Sequence, residues 1–83
     1  MTYHLREIKR GVFGHASKIT EEHEEFLEAL EQGNPVMALV ELTDMIGAIE
    51  AYAVQNHAIT LDELINMKNA TKRAFESKTR ISK

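Results

Sequence analysis

The chain has 83 residues, a net charge of −3 and no cysteine. That length holds one small domain near the lower limit for folding on a single hydrophobic core, and the missing cysteines exclude disulfides and thiolate metal sites. Four glycines and one proline exclude a linker-like or low-complexity chain.

No apolar run reads as a signal peptide or a clean membrane span, so the expected location is cytoplasmic, with no membrane partner. Charge is unevenly placed. Between Ile19 and Met67 there are eleven Asp and Glu and no Lys or Arg. An acidic middle flanked by bases argues against a duplex nucleic-acid binder, which would carry a basic face. It suits carboxylates that hold cations beside bases that hold phosphates, or simply solvated helix faces.

Residues 1–16, with Gly11 and Gly14 around Val12-Phe13, show no sustained period and read as an irregular lead-in. Ser17 is the expected cap of a first helix over about residues 18–32. Gly33 suits its end, and Asn34-Pro35 supplies a cap and a first-turn proline for a second helix to about residue 56. Thr60-Leu61-Asp62-Glu63 has capping-box spacing and opens a third helix over about 61–77. No segment alternates as a half-buried strand would. The expected fold is all-α, one domain over residues 1–83.

On the first helix, Ile19, Phe26 and Leu30 share a stripe, with His23 and Leu27 at its edge. Glu21, Glu24, Glu28 and Glu31 fall opposite, where solvent is expected. Glu22 and Glu25 lie on the border of the apolar stripe beside Ala29, one turn apart.

From Val36 to Val54, fourteen of nineteen residues are apolar and point all round the second helix. A helix apolar all round is buried all round, and two short helices cannot cover it. A homodimer completing a four-helix bundle is the simplest solution. Met37 and Met45 fit packing between subunits. Glu41, Asp44 and Glu50 oppose a membrane span.

Glu41 and Asp44 stand three apart on a face with Met37, Val40, Ala48 and Ala51. A buried ionised carboxylate needs a partner, and within these two helices only Lys18 could supply a cation. Two E-x-x-[E/D] pairs on adjacent helices place four oxygen ligands together: Glu22, Glu25, Glu41 and Asp44. Such a set suits Mg²⁺ or Mn²⁺. Either pair alone is common on exposed helix surface. The four histidines, His4, His15, His23 and His57, show no zinc-site pairing and read as structural or incidental.

The string Glu21-Glu22-His23-Glu24-Glu25, followed after fifteen residues by Glu41-Leu42-Thr43-Asp44, resembles the EExxE…ExxD signature of the MazG-like nucleoside triphosphate pyrophosphohydrolases. Lys18-Ile19 before the motif, the string ELTDMIGA and a third helix with Lys, Asn and Arg extend the resemblance over roughly residues 11–80. Short, single-domain, phage-type members are the most similar. The resemblance implies an all-α dimer or tetramer that cleaves nucleoside triphosphates, dNTPs foremost, between the α- and β-phosphates.

By the same resemblance, Glu22, Glu25, Glu41 and Asp44 match the Mg²⁺ ligands, and Glu21, Glu22 and Glu25 the catalytic acidic motif. Glu21 is then a candidate to orient water or bind a second ion. Lys18, Lys68, Lys72 and Arg73 become candidate phosphate contacts. Lys68 and Lys72 share a face with Leu61, Leu64, Ile65 and Phe75, where snorkelling past apolar surface is the competing explanation. The family often places Arg three residues after an Asn on this helix; here Lys72 holds that position after Asn69, with Arg73 next. Phe13 and His15 are candidates to touch a base.

Two other readings fit these residues. One is a phosphoribosyl-ATP pyrophosphohydrolase-like enzyme, built on similar acidic motifs. The other is a non-catalytic helical dimer acting as an adaptor or regulator, which the apolar second helix supports with or without chemistry.

Overall fold

The computed structural model describes the backbone of residues 7–82 and the side chains of residues 7–71. Helix α1 spans Ala16–Glu31, α2 Pro35–His57 and α3 Leu61–Ser82, and no strand occurs among the described residues. The expected helix ends hold to within a few residues, except that α3 runs to Ser82 rather than 77. Residues 7–15 form the irregular lead-in, and residues 1–6, with His4, lie outside the described residues.

The stop between α1 and α2 is written in three residues. Gly33 takes φ +68, a conformation that costs little without a Cβ. Around it the Asn34 N–H reaches back to the Ala29 carbonyl at 3.0 Å, a Schellman ending. Asn34 then caps α2 by accepting from the Met37 N–H at 3.0 Å, with Pro35 opening the helix. So short a connection returns the chain antiparallel. The pairing is visible at the far end, where Asn56 of α2 donates to the Gly14 carbonyl before α1.

The capping box before α3 is formed. The Glu63 N–H donates to Thr60 Oγ1 at 3.1 Å, and Glu63 Oε1 accepts from the Thr60 N–H at 2.8 Å. The expected cap of α1 is not. His15 occupies that position without a side-chain cap bond, and the helix starts at Ala16. A turn with Gly14 at φ +91 delivers the chain two residues early. Ser17 Oγ accepts instead from the Val12 N–H at 3.0 Å.

The core of the hairpin corrects the sequence reading of α1. Its buried residues are Glu21, Glu22, Glu28 and Ala29, and α2 answers with Ala38, Glu41, Ala48 and Ala53. Glu21 and Glu28, expected in solvent, are 9% and 1% exposed. Leu30, expected in the core stripe, is 53% exposed. On α1 the acidic side and Ala29 are turned inward, while Leu27 and Leu30 are left outside and Ile19 and Phe26 are half-buried. Alanines on both helices leave space between them that the glutamate side chains fill.

Every buried apolar side chain among the described residues is an alanine, and a buried methyl is worth only about 0.8 kcal/mol. Meanwhile Leu39, Leu42 and Ile46 of α2 and Ile65 of α3 are exposed. Between α2 and α3 an apolar cavity of about 490 Å³ is lined by Ile46, Ile49, Leu61, Leu64, Ile65 and Lys68. No helix is long and apolar enough to cross a membrane among the described residues.

The two caps of α2 should respond with opposite signs. Asn34→Ala should lower the unfolding free energy by about 1 kcal/mol. Ala58 ends α2 at φ +55, so Ala58→Gly should raise it by roughly 1 kcal/mol. Urea midpoints at fixed protein concentration would check both.

Candidate metal centre

The acidic side of α1 meets α2 at the level of Glu41. Glu22, Glu41 and Asp44 each present a carboxylate oxygen, all within 4.8 Å of one another, and Glu21, Glu22 and Glu25 do the same. Glu22 belongs to both groups, so the four expected ligands are divided between two overlapping sets, Glu25 in the one that also includes Glu21, and Glu41 and Asp44 in the other. Glu22 and Glu41 are 6% and 3% exposed. Glu25 is half-buried and Asp44 exposed, so the cluster opens towards solvent on the Asp44 side.

Lys18 compensates part of this charge. Its Nζ lies 3.0 Å from Glu21 Oε1 and 3.1 Å from Glu22 Oε2, one turn along the same helix. The hydrogen bond to Glu21 holds the Lys18 ammonium above its ordinary value. Burial pushes Glu21 up, but the Gly11 N–H at 2.9 Å and the Lys18 ammonium outweigh it, and its carboxyl falls below the usual range. Glu21 therefore ties the lead-in to α1 through one oxygen that accepts two donors.

The remaining carboxylates repel one another. Burial, then the negative charge of Glu22 and a hydrogen bond with Glu41, push Glu25 up to about 8. Glu25 thus holds a proton at neutral pH and donates it to Glu41. Glu41 is also raised, by burial first and by Asp44 and Glu22 beyond it. Two oxygens stay unsatisfied: Glu22 Oε1 and Glu41 Oε1 are buried without a hydrogen-bond partner. Such orphans are expensive in a low-dielectric interior.

A divalent cation fits this donor set. All the ligands are hard oxygens, their spacing allows convergence on one ion, and the orphaned atoms face no protein donor. Imidazole and thiolate are absent from both groups, which points away from zinc.

The expected phosphate contacts are placed unequally. Lys18 is at the cluster. Lys68 is exposed, donates to its neighbour Asn69 at 2.9 Å and borders the apolar cavity between α2 and α3. The side chains of Lys72 and Arg73 lie outside the described residues. Sequence reasoning passed over the burial of Glu28 and the anchoring role of Gly11. Gly11 shows its role only in the fold, where a Cβ would strike the Ser17 carbonyl and the Lys18 backbone.

No family model, curated protein or solved structure shows significant similarity to this chain.

The raised carboxyls set a pH dependence. Glu25 binds its proton more tightly folded than unfolded, so its contribution is complete below about pH 4.5 and is lost as pH rises through about 8. The metal-free protein should melt at progressively lower temperature across that window, and Glu25→Gln should flatten the trend. Melting curves in the presence of a chelator would check it.

Proposed function

We propose that this chain is a Mg²⁺-dependent nucleoside triphosphate pyrophosphohydrolase that releases pyrophosphate and a nucleoside monophosphate. The observation that carries the reading is the convergence of Glu22, Glu41 and Asp44 around two buried carboxylate oxygens that have no protein partner. The resemblance of the EEHEE and ELTD strings to the MazG-like signature supplies the reaction class.

In this reading Glu22, Glu25, Glu41 and Asp44 hold the ion. When bound, Mg²⁺ (or Mn²⁺) supplies positive charge to the phosphate oxygens and acidifies water for attack on phosphorus. The protein's own groups do the rest. Lys18, shared between Glu21 and Glu22, offsets one of their two negative charges, so the cluster is not left with the charge of all its carboxylates. Glu25, whose carboxyl is raised to about 8, would give up its proton on becoming a ligand, because the ligand form is the carboxylate. Glu21, fixed by Gly11 and Lys18, keeps the first turn of α1 in register with the cluster. Asp44, exposed at the rim, faces the side from which a triphosphate would approach.

The same reading includes a homo-oligomer, a dimer as its smallest form. Among the described residues the buried apolar side chains are all alanines, which gain little from burial alone. A second copy laid over Leu39, Leu42 and Ile46, reaching the cavity between α2 and α3, would cover that surface and complete a four-helix bundle.

Pyrophosphate release should be measured over ribo- and deoxyribonucleoside triphosphates with and without Mg²⁺. The reading expects metal-dependent release that falls at least a hundredfold in Glu41→Gln. A folded wild type that hydrolyses none of them would leave the adaptor reading in its place. Sedimentation should give at least a dimer, and Ile46→Glu should dissociate it or lower its melting temperature.

A further inference from the structure

The lead-in builds a second feature away from the carboxylates. Val12–His15 is a turn closed by the His15 N–H on the Val12 carbonyl at 2.9 Å, with Gly14 at φ +91 in its third position. That position of a type II turn demands positive φ. The turn is fastened on both sides. Asn56 Nδ2 donates to the Gly14 carbonyl at 2.9 Å, and the Gly11 N–H donates to Glu21. A Cβ on Gly14 would strike the Gln55 amide, so that amide lies directly against the turn.

This fixed turn holds Phe13 outward, 61% exposed. Its ring borders an open cavity of about 270 Å³ lined also by Gly47, Glu50, Ala51, Val54 and Gln55. Gly47 leaves the cavity wall bare, with nothing within 4 Å of where a Cβ would stand. Along α2, Asp44, Ala48, Ala51 and Gln55 follow the i, i+4, i+7, i+11 rule and share one stripe. Ala51 stands two turns, about 10 Å, beyond Asp44. That is the reach from the phosphates of a nucleotide to its base.

We propose that this cavity is a nucleobase subsite, taking a base with an exocyclic amine against the Phe13 ring while Glu50 and Gln55 read its edge. The proposal rests on the pyrophosphohydrolase reading, since the carboxylate cluster fixes where the phosphates lie. An aromatic face stacks on any base. Selectivity comes from Glu50, a carboxylate that accepts from an amino group and meets the carbonyl of thymine or uracil with repulsion. The Gln55 amide offers both a donor and an acceptor.

Two measurements on the full chain test it. The first is a titration of isotopically labelled, metal-free protein with deoxycytidine, a nucleoside without phosphates, following the backbone amides of Gly14, Gly47 and Gln55. The second is pyrophosphate release from dCTP and dTTP by wild type, Phe13→Ala, Phe13→Tyr and Glu50→Gln. Deoxycytidine should shift those amides. Phe13→Ala should raise KM for dCTP about tenfold with kcat nearly kept, and Phe13→Tyr should restore it. Glu50→Gln should erase most of the preference for dCTP over dTTP. Phe13 is exposed, so its variants should melt like wild type.

Active enzyme whose KM ignores Phe13, with silent amides, would overturn the subsite and leave the hydrolase reading standing. Amide shifts without any hydrolysis would do the reverse. Amides that move with protein concentration alone, and not with nucleoside, would mark the cavity as an interface between copies and overturn the proposal.

Discussion

Carboxylates packed between two helices govern this structure. Glu22 and Glu41 face each other across the α1–α2 hairpin, almost wholly removed from water, with Glu28 buried on the same side of α1. Like charges in such a place oppose folding, and the protein answers in three ways. Lys18 pairs with Glu21 and Glu22, Glu25 keeps a proton, and the alanines at Ala29, Ala38 and Ala48 let the helices close around the acids. A divalent cation would remove the remaining penalty. The cluster is costly as it stands, a cost that a stabilising core would not carry.

The same choice explains the oily exterior. Because α1 spends its inward face on acids, Leu27 and Leu30 turn outward, and α2 leaves Leu39, Leu42 and Ile46 open on its other side. The chain thus separates two kinds of surface by helix face: carboxylates within the hairpin, and apolar side chains on its outside. The glycine turn joins these layers, since Gly11 is held by Glu21 of the cluster and Gly14 by Asn56 at the far end of α2.

Much of this was legible in the residues. Gly33-Asn34-Pro35 and Thr60-x-x-Glu63 act locally, through backbone geometry and hydrogen bonds only a few residues long, and both formed as read. Glu22, Glu41 and Asp44 could be placed together because the helical period and a short connection leave little freedom. The burial of Glu21 and Glu28 could not be read so. A helical wheel gives angles between side chains, but which angle faces the neighbour depends on the fit between helices. Here the small residues, not the large apolar ones, decided it. The Ser17 cap failed for a related reason: the Gly14 turn, fixed by a residue 42 positions away, sets where α1 begins.

The central claim is that the buried carboxylates form a cation site. Calorimetric titration of metal-free protein with Mn²⁺ near neutral pH, in buffers of different ionisation enthalpy, addresses it most directly. The account predicts saturable binding with proton release, because Glu25 must give up the proton it holds, and loss of both in Glu41→Gln. Absence of binding at millimolar Mn²⁺ by a folded chain, or binding that survives Glu41→Gln unchanged, would contradict it.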